Sequence, residues 1–474
     1  MLRGCWKPWR WSTRSWSIAI ALSVLALPFV TRWICLWQIP DVALVFKVEE
    51  ITDPEVPDDQ NAYKVYSHVM EVLSSRSTQT AETSGSTSAA TNSDASLADR
   101  MMAHNEQALA EYIRAGKMER AGGPSLKAMT IWTDISFYQH LRQLVRTYNS
   151  LGVTFEEYGE IEKAWDCHRA NLQCSIHAEQ THQALCGLIA CALRSMSVDG
   201  IVHWASNPSI TEDRLHAARV EIEHEFARRT PFGAFTRGEY LIVRNSLNEL
   251  AIVDEVLPTD STGSRTPTAL QVGKRSLLWC FAQPELALRM NRQVLLNNAQ
   301  ELEKPLHERR HSSQRANVFV FDLDPKAQRV SGQLSAEQLV GILQSESPAL
   351  RLNRSMLPAM SQVDQARRRD SARFATLMVL FAAHEYQRTH GGFPETIGLL
   401  VPAYLNEIPF DPMEPTGKQI NYRREADGTA VVWSVGVNGI DDQGDIASTQ
   451  YLDTGYQIKL NQPNAADTTK LGSQ

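Results

Sequence analysis

The stretch "FYQHLRQLVRTYNSLGVTFEEYGEIEKAWDCHRANLQCSIHAEQ", Phe137 to Gln180, carries two runs of apolar residues at helical spacing. Leu141, Leu144, Val145 and Tyr148 share one face of the first run, and Ile161, Ala164, Trp165, His168 and Leu172 share one face of the second. Positions three and four apart in an α-helix lie above one another, so each run is an amphipathic stripe. A glycine-containing turn separates them. Two such helices must cover their stripes with each other or with neighbours, and the spacing therefore predicts a helical hairpin inside a mainly α fold.

Within this stretch, "YGEIEKAWDCHRANL" resembles a tetratricopeptide unit in its placement of glycine, alanine and aromatic residues. One unit is visible, and stacked repeats need about three for stability, so the expectation is a helical bundle with a tetratricopeptide-like hairpin rather than a solenoid. Working outward, helical periodicity covers about 97–304, broken by "SNPSITEDR", by "RRTPFGAFTRGE" and by a loop over 257–274.

The chain has 474 residues, 43% hydrophobic and 21% charged, an ordinary globular balance at a length that one core seldom serves. A formal net charge of -7 argues against nucleic acid as a partner. The first forty residues differ in kind. Arg3, Lys7, Arg10 and Arg14 precede the uncharged run "SWSIAIALSVLALPFV", and "TRWICLWQI" extends the apolar character past Arg32. That length matches the roughly twenty residues that cross a bilayer. Trp6, Trp9, Trp11 and Trp16 flank one end and Trp33 and Trp37 the other, as interfacial belts would. Basic residues before the run place the N-terminus in the cytoplasm and the chain from about Pro40 outside. A cleaved signal peptide has the same order, but "VLALPF" is a poor cleavage site, so residues 1–40 read as a cytoplasmic stub and an uncleaved membrane anchor.

Residues 41–73 predict a short helix from about Asn61, with Ala62, Val65, Val69 and Val72 near helical spacing. Residues 74–96, "SSRSTQTAETSGSTSAATNSDAS", have too few large apolar side chains to offset the entropy of ordering and read as a disordered linker. Of the 7 cysteines, Cys167, Cys174, Cys186, Cys191 and Cys280 follow the anchor without disulfide spacing, which suits small buried hydrophobes. His168, His177 and His182 lie nearby without a ligand-pair pattern. "HEFAR" from His224 and "HEYQR" from His384 begin like a zinc-protease helix, but Arg228 and Arg388 stand where the second histidine belongs, so both read as solvated helix faces.

Residues 305–357 are a poorly defined connector. In it the strand-like "ANVFVFDLDPKAQ" ends in Asp322 and Asp324, which resembles the first motif of haloacid-dehalogenase-type phosphatases. That resemblance implies Asp322 as nucleophile and Asp324 as acid and base, whereas the bare residues read as a strand ending in an Asp-Pro turn.

Residues 358–448 form the most legible part. "ARFATLMVLFAAHEYQRTHGGFP" predicts a helix with the stripe Phe374, Leu377, Met378 and Phe381, stopped by Gly391 and Gly392. "KQINYRREADGTAVVWSV" alternates about Asp427-Gly428, a hairpin signal, and leads into the acidic loop "SVGVNGIDDQGDI". The order of the helix, "GGFPETIGLLVPAYL", "IPFDP", hairpin and "VVWSVGVNG" resembles the globular part of the type II secretion major pseudopilin, and also the tail of uncharacterised membrane-anchored bacterial proteins. The resemblance implies an α+β module and calcium in the final loop, transferred to Ser434, Asp442 and Asp445 with Asp441 as an extra ligand. By the residues alone the loop is either a metal cradle or a plain acidic turn, and it lacks the EF-hand spacing. In pseudopilins the membrane helix runs straight into the soluble helix, whereas here "RRRDSARF" precedes it and the anchor lies far upstream.

The expected protein is thus mainly α, with a single transmembrane helix, a helical domain over 97–304, a pseudopilin-like module over 358–448 and a tail over 449–474. Its expected role is structural or protein-binding at a bacterial cytoplasmic membrane, with the bulk of the chain extracytoplasmic and a protein partner in the cell envelope. The rival is an exported, metal-dependent hydrolase using Asp322 and Asp324.

Overall fold

A computed structural model describes residues 13–48, 51, 56–83, 97–252, 269–315, 318–323, 330–345, 360–447 and 453–459. The protein is mainly helical, with an apolar N-terminal helix and two small antiparallel sheets toward the C-terminus. The chain divides into two compact units, one of Met1–Lys47, Val243–Asn298 and Ser312–Leu357, the other of Val48–Ile242, Ala299–His311 and Pro358–Gln474.

The first unit opens with α1 (Thr13–Gln38). Its middle presents apolar side chains to solvent, with Leu25 68% and Phe29 65% exposed, the reverse of what water selects. Its last turn is different. Cys35 and Ile39 are buried against Ala282, Leu286 and Met290, with Val318, Val320, Leu339 and Leu343 in the same cluster. The partners come from α10 (Glu285–Asn298), the hairpin β1 (Ser312–Arg315) and β2 (Val318–Phe321), and α11 (Ala336–Gln344). One stripe of α10, spaced four residues apart, ties these pieces together. Arg289 donates to the carbonyls of Leu36 (3.2 Å) and Ile39 (3.4 Å), satisfying acceptors at the end of α1. Gln293 donates to the Pro40 and Gly332 carbonyls, and Asn297 exchanges two hydrogen bonds with the Phe321 backbone. The connector at 305–357 thus contains a hairpin and a capped helix, with Ser335 and Gln338 forming a reciprocal capping box at the start of α11. A further helix, α9 (Ala269–Cys280), lies against α1 and begins inside the segment expected as loop.

The second unit is built on α2 (Ala62–Thr83), α3 (Leu97–Gly116), α4 (Ser136–Glu157), α5 (Ile161–Glu179), α6 (Ala184–Ala205) and α7 (Glu212–Ala227), with α8 (Phe232–Ile252) beginning in it. The expected hairpin is α4 and α5, joined through Gly159 at φ +76°. Leu141, Leu144, Val145 and Tyr148 are all buried, as are Ala164, Trp165, His168 and Leu172. Helix α2 runs ten residues into the segment expected as linker, since propagating a helix fixes few dihedrals per hydrogen bond gained; 84–96 lie outside the described residues.

Helix α12 (Met360–His390) packs on α6 and α7 and also on the sheet β3 (Asn421–Arg424), β4 (Ala430–Ser434) and β5 (Thr454–Ile458). The β3–β4 hairpin turns at Gly428, φ +86°, with Asn421 opposite Trp433, as the Asp-Gly signal predicts. Strand β5 corrects the boundary at 448. Residues 454–458 pair with β4 along its length, so β4 is a central strand and every residue of it is buried. The segment expected as a separate module shares one core with the helices, from Ala62 through Phe381 to Ile458. With both sides of α12 covered, "HEYQR" is no solvated face: His384 and Glu385 are buried, and Glu385 accepts from Arg219 at 2.7 Å.

Helix α6 is long and apolar enough to cross a membrane, as is Trp16–Gln38. Unlike α1 it is a core helix. Its Arg194 is fully buried, donating from Nε to Asp370 of α12 at 2.8 Å and from its terminal nitrogen to Glu179 of α5. Arg229 pairs with Asp370 at 3.0 Å, and Arg367 pairs with Glu179 at 3.3 Å. Burial alone would raise the Glu179 carboxyl, but Arg194, Arg229 and Arg367 around it hold it below the usual range. Arg367 and Asp370 of "RRRDSARF" are therefore committed to a network inside the protein.

Candidate functional site

The second unit carries a cleft of about 1070 Å³, just above the usual upper limit for ligand-sized sites. Its rim is the segment 119–126 that follows α3, "ERAGGPSL". Loops of this composition need external anchors for their backbone. Asn61, just before α2, supplies one: its carbonyl oxygen accepts from the Gly122 N–H at 2.9 Å and its amide donates to the Gly122 carbonyl at 3.0 Å. Gln180, at the end of α5, accepts from the Ala121 N–H at 2.7 Å and donates to the Glu119 carbonyl at 2.9 Å. Arg228, after α7, donates to the same carbonyl at 3.2 Å. Three distant segments thus fix one loop.

His182 lines the cleft from the turn between α5 and α6, with φ at +56°. A non-glycine residue rarely takes that conformation, and it is held here because Gly238 of α8, lacking a Cβ, lets the His182 carbonyl approach closely. His224 of α7 and the cations Lys64, Arg120 and Arg228 complete the basic lining, against Asp58 and Glu119. Lys64 and Asp58 stand 3.9 Å apart, both largely exposed, a pairing too weak to neutralise the wall. Three permanent cations, of which Arg228 is paired with Glu225 at 2.9 Å, and two imidazoles give this wall a chemistry suited to a carboxylate or phosphate.

In the acidic loop after β4 the expected calcium residues meet protein groups. Ser434 donates its hydroxyl to Asp411 of "IPFDP" at 2.7 Å, and Asp411 also accepts the Val435 N–H at 2.8 Å. Burial pushes the Asp411 carboxyl above its usual range. Asp441 accepts from Trp433 Nε1 at 2.9 Å and from the Gln443 N–H at 3.0 Å, and Asp442 accepts from Asn438 at 2.8 Å. The Asp445 N–H approaches the Asp442 carbonyl at 3.4 Å. The side chains of Ser434, Asp441 and Asp442 thus meet protein donors and acceptors, and among the described residues no group of three or more His, Cys, Asp or Glu is placed to hold a metal ion. Asp453, beyond the expected end of the module, accepts the Gly444 N–H at 2.8 Å. Asp411 and Asp453 organise the loop, and neither was singled out from the sequence.

Asp322 is exposed at the end of β2, whose partner is β1 in an antiparallel pair, not the parallel sheet that the phosphatase likeness implies; Asp324 lies outside the described residues. Cys167, Cys174, Cys186 and Cys191 are buried free thiols, each pushed up to about 12 by burial, and are core as expected. His168 is buried against Glu156 at 3.2 Å, and His177 sits between Tyr66 and the Met118 carbonyl, so of the three clustered histidines only His182 reaches the cleft. The chain matches no family model, no curated protein and no solved structure.

Proposed function

We propose that this is a single-pass protein of a bacterial cytoplasmic membrane whose second unit faces outward and binds an acidic group of an envelope protein. The exposed apolar surface of α1 carries the reading, because such a surface is stable in lipid and costly in water. The poor cleavage site "VLALPF" supports an uncleaved anchor. Basic residues before the apolar run support the outward orientation. The cleft supports binding as the role, with Lys64, Arg120 and Arg228 as recognition groups.

Two measurements test this. A phosphatase reporter fused after Gln474 should be active and a cytoplasm-restricted fluorescent reporter at the same place dark; the opposite pattern removes the orientation. Pull-down from envelope extracts with the full chain in detergent should capture a partner that Lys64→Glu with Arg120→Glu loses by about tenfold or more, two charge reversals at a desolvated contact. Equal capture by both removes the cleft from the proposal.

A further inference from the structure

Helix α1 has an arginine in its apolar stretch, and the structure shows what answers its charge. Arg32 donates to the carbonyl of Trp279 at 2.9 Å, and its guanidinium lies over the Trp279 ring, 5.0 Å from the centroid. Phe29, one turn earlier, meets the same ring edge-on at 5.2 Å. Trp279 belongs to the last turn of α9, where Leu277, Leu278 and Trp279 are 58%, 41% and 42% exposed. Three consecutive large apolar residues at the end of a helix thus keep two-fifths or more of their surface exposed, and they adjoin the helix whose own apolar side chains face outward. Lys274 and Arg275 precede them in the sequence.

We infer that the end of α9 is a second membrane contact, inserting Leu277, Leu278 and Trp279 into the boundary between headgroups and acyl chains where α1 leaves the bilayer. The inference rests on reading α1 as the membrane anchor. Its depth follows from helix geometry: Arg32 is six residues before Gln38, about 9 Å along the axis. Interfacial helices sit about 5–10 Å into the boundary region, with apolar and aromatic residues inward and basic residues toward the headgroups, which is the order of "GKRSLLW". Arg32 fits the same place. Its charge is met by a carbonyl and an aromatic face at a level from which its side chain also reaches the headgroups. A protein partner on the triplet would need a surface that also accommodates the flanking bilayer, whereas lipid is continuous with what covers α1.

The test uses the full chain in phosphatidylcholine–phosphatidylglycerol vesicles, with Cys5→Ser, Cys35→Ser and Cys280→Ser so that the remaining buried thiols do not label. An environment-sensitive nitrobenzoxadiazole probe is attached at Leu278→Cys, and separately at Leu22→Cys in the middle of α1. With nitroxide near the headgroups, the probe at 278 should lose about half its emission, and less with nitroxide at the chain ends. The probe at 22 should show the reverse order. Quenching at 22 with a water-like, unquenched probe at 278 overturns the α9 contact and leaves the anchor standing. A blue-shifted but unquenched probe at 278 means a protein covers the triplet, which also overturns it. If neither position is quenched, the anchor reading falls and this inference falls with it.

Discussion

Gly116 ends α3 where that helix meets α5, and a Cβ added there would lie 2.8 Å from Ala170 Cα. The obstacle is backbone, so neither helix can yield cheaply. Gly444 is constrained twice over, by φ at +80° and by the Trp433 ring 3.1 Å from the position a Cβ would take. These two contacts account for glycine at 116 and at 444. Gly116→Ala is expected to cost about 1–3 kcal/mol through overpacking. Gly444→Ala should cost about 1 kcal/mol or more, since the native conformation is incompatible with a side chain. Its signature is local: the Asp441 bond to Trp433 Nε1 is disturbed, so near-ultraviolet circular dichroism changes together with the melting temperature. A melting curve indistinguishable from wild type in either variant would mean that the close approach is not what fixes the residue.

Helix α6 shows how one element is legible and misleading at once. Its apolar run reads equally as a core helix or a membrane span, and Arg194 decides between them only through Glu179 and Asp370, residues in two other helices. Neither partner is visible from the sequence around 194, because pairing across 15 and 176 positions leaves no local trace. The hairpin of α4 and α5 and the turn at Gly428 were legible because their determinants are local: apolar spacing and Asp-Gly chemistry. Strand β5 was missed for the opposite reason, since "TGYQI" gains its strand character from pairing with β4. The cleft was missed likewise, as Asn61, Arg120, Gln180 and Arg228 come together only in three dimensions. The ion network makes the sharper prediction. Arg194→Met leaves buried carboxylates short of one partner and should destabilise by about 3–5 kcal/mol, read as a lower denaturant midpoint. Replacement by lysine, which keeps the charge but loses the two-directional guanidinium, should recover only part of that loss. Full recovery would show that charge alone, not the fork to Glu179 and Asp370, is what the core requires.

At the scale of the whole molecule these buried polar groups give folding a dependence on pH. Burial pushes His177 down to about 4 and His384 down to about 3, against an ordinary value of about 6.5. Between those values the unfolded chain takes up protons that the folded chain refuses. The stability each neutral histidine allows is therefore complete above about pH 6.5 and shrinks as pH falls, by up to about 1.4 kcal/mol per pH unit for each residue, until its folded value is reached. Glu179, held below the usual carboxylate range by its arginines, adds its own loss at still lower pH as it is forced to protonate. His203 runs the other way: its hydrogen bond to Glu156 raises it, so its contribution is complete below its unfolded value and is lost as pH rises through the folded one. His203 is half-exposed and the other two are enclosed, so the enclosed pair dominates. His177→Gln, which leaves a side chain able to meet Tyr66 and the Met118 carbonyl, removes one of the two protons from this balance. Unfolding free energy of the full chain in detergent should fall steadily from pH 6.5 to 4.5 in the wild type and at about half that slope in the variant. Parallel slopes in the two proteins would show that His177 accepts its proton within the folded core and that the dependence arises elsewhere.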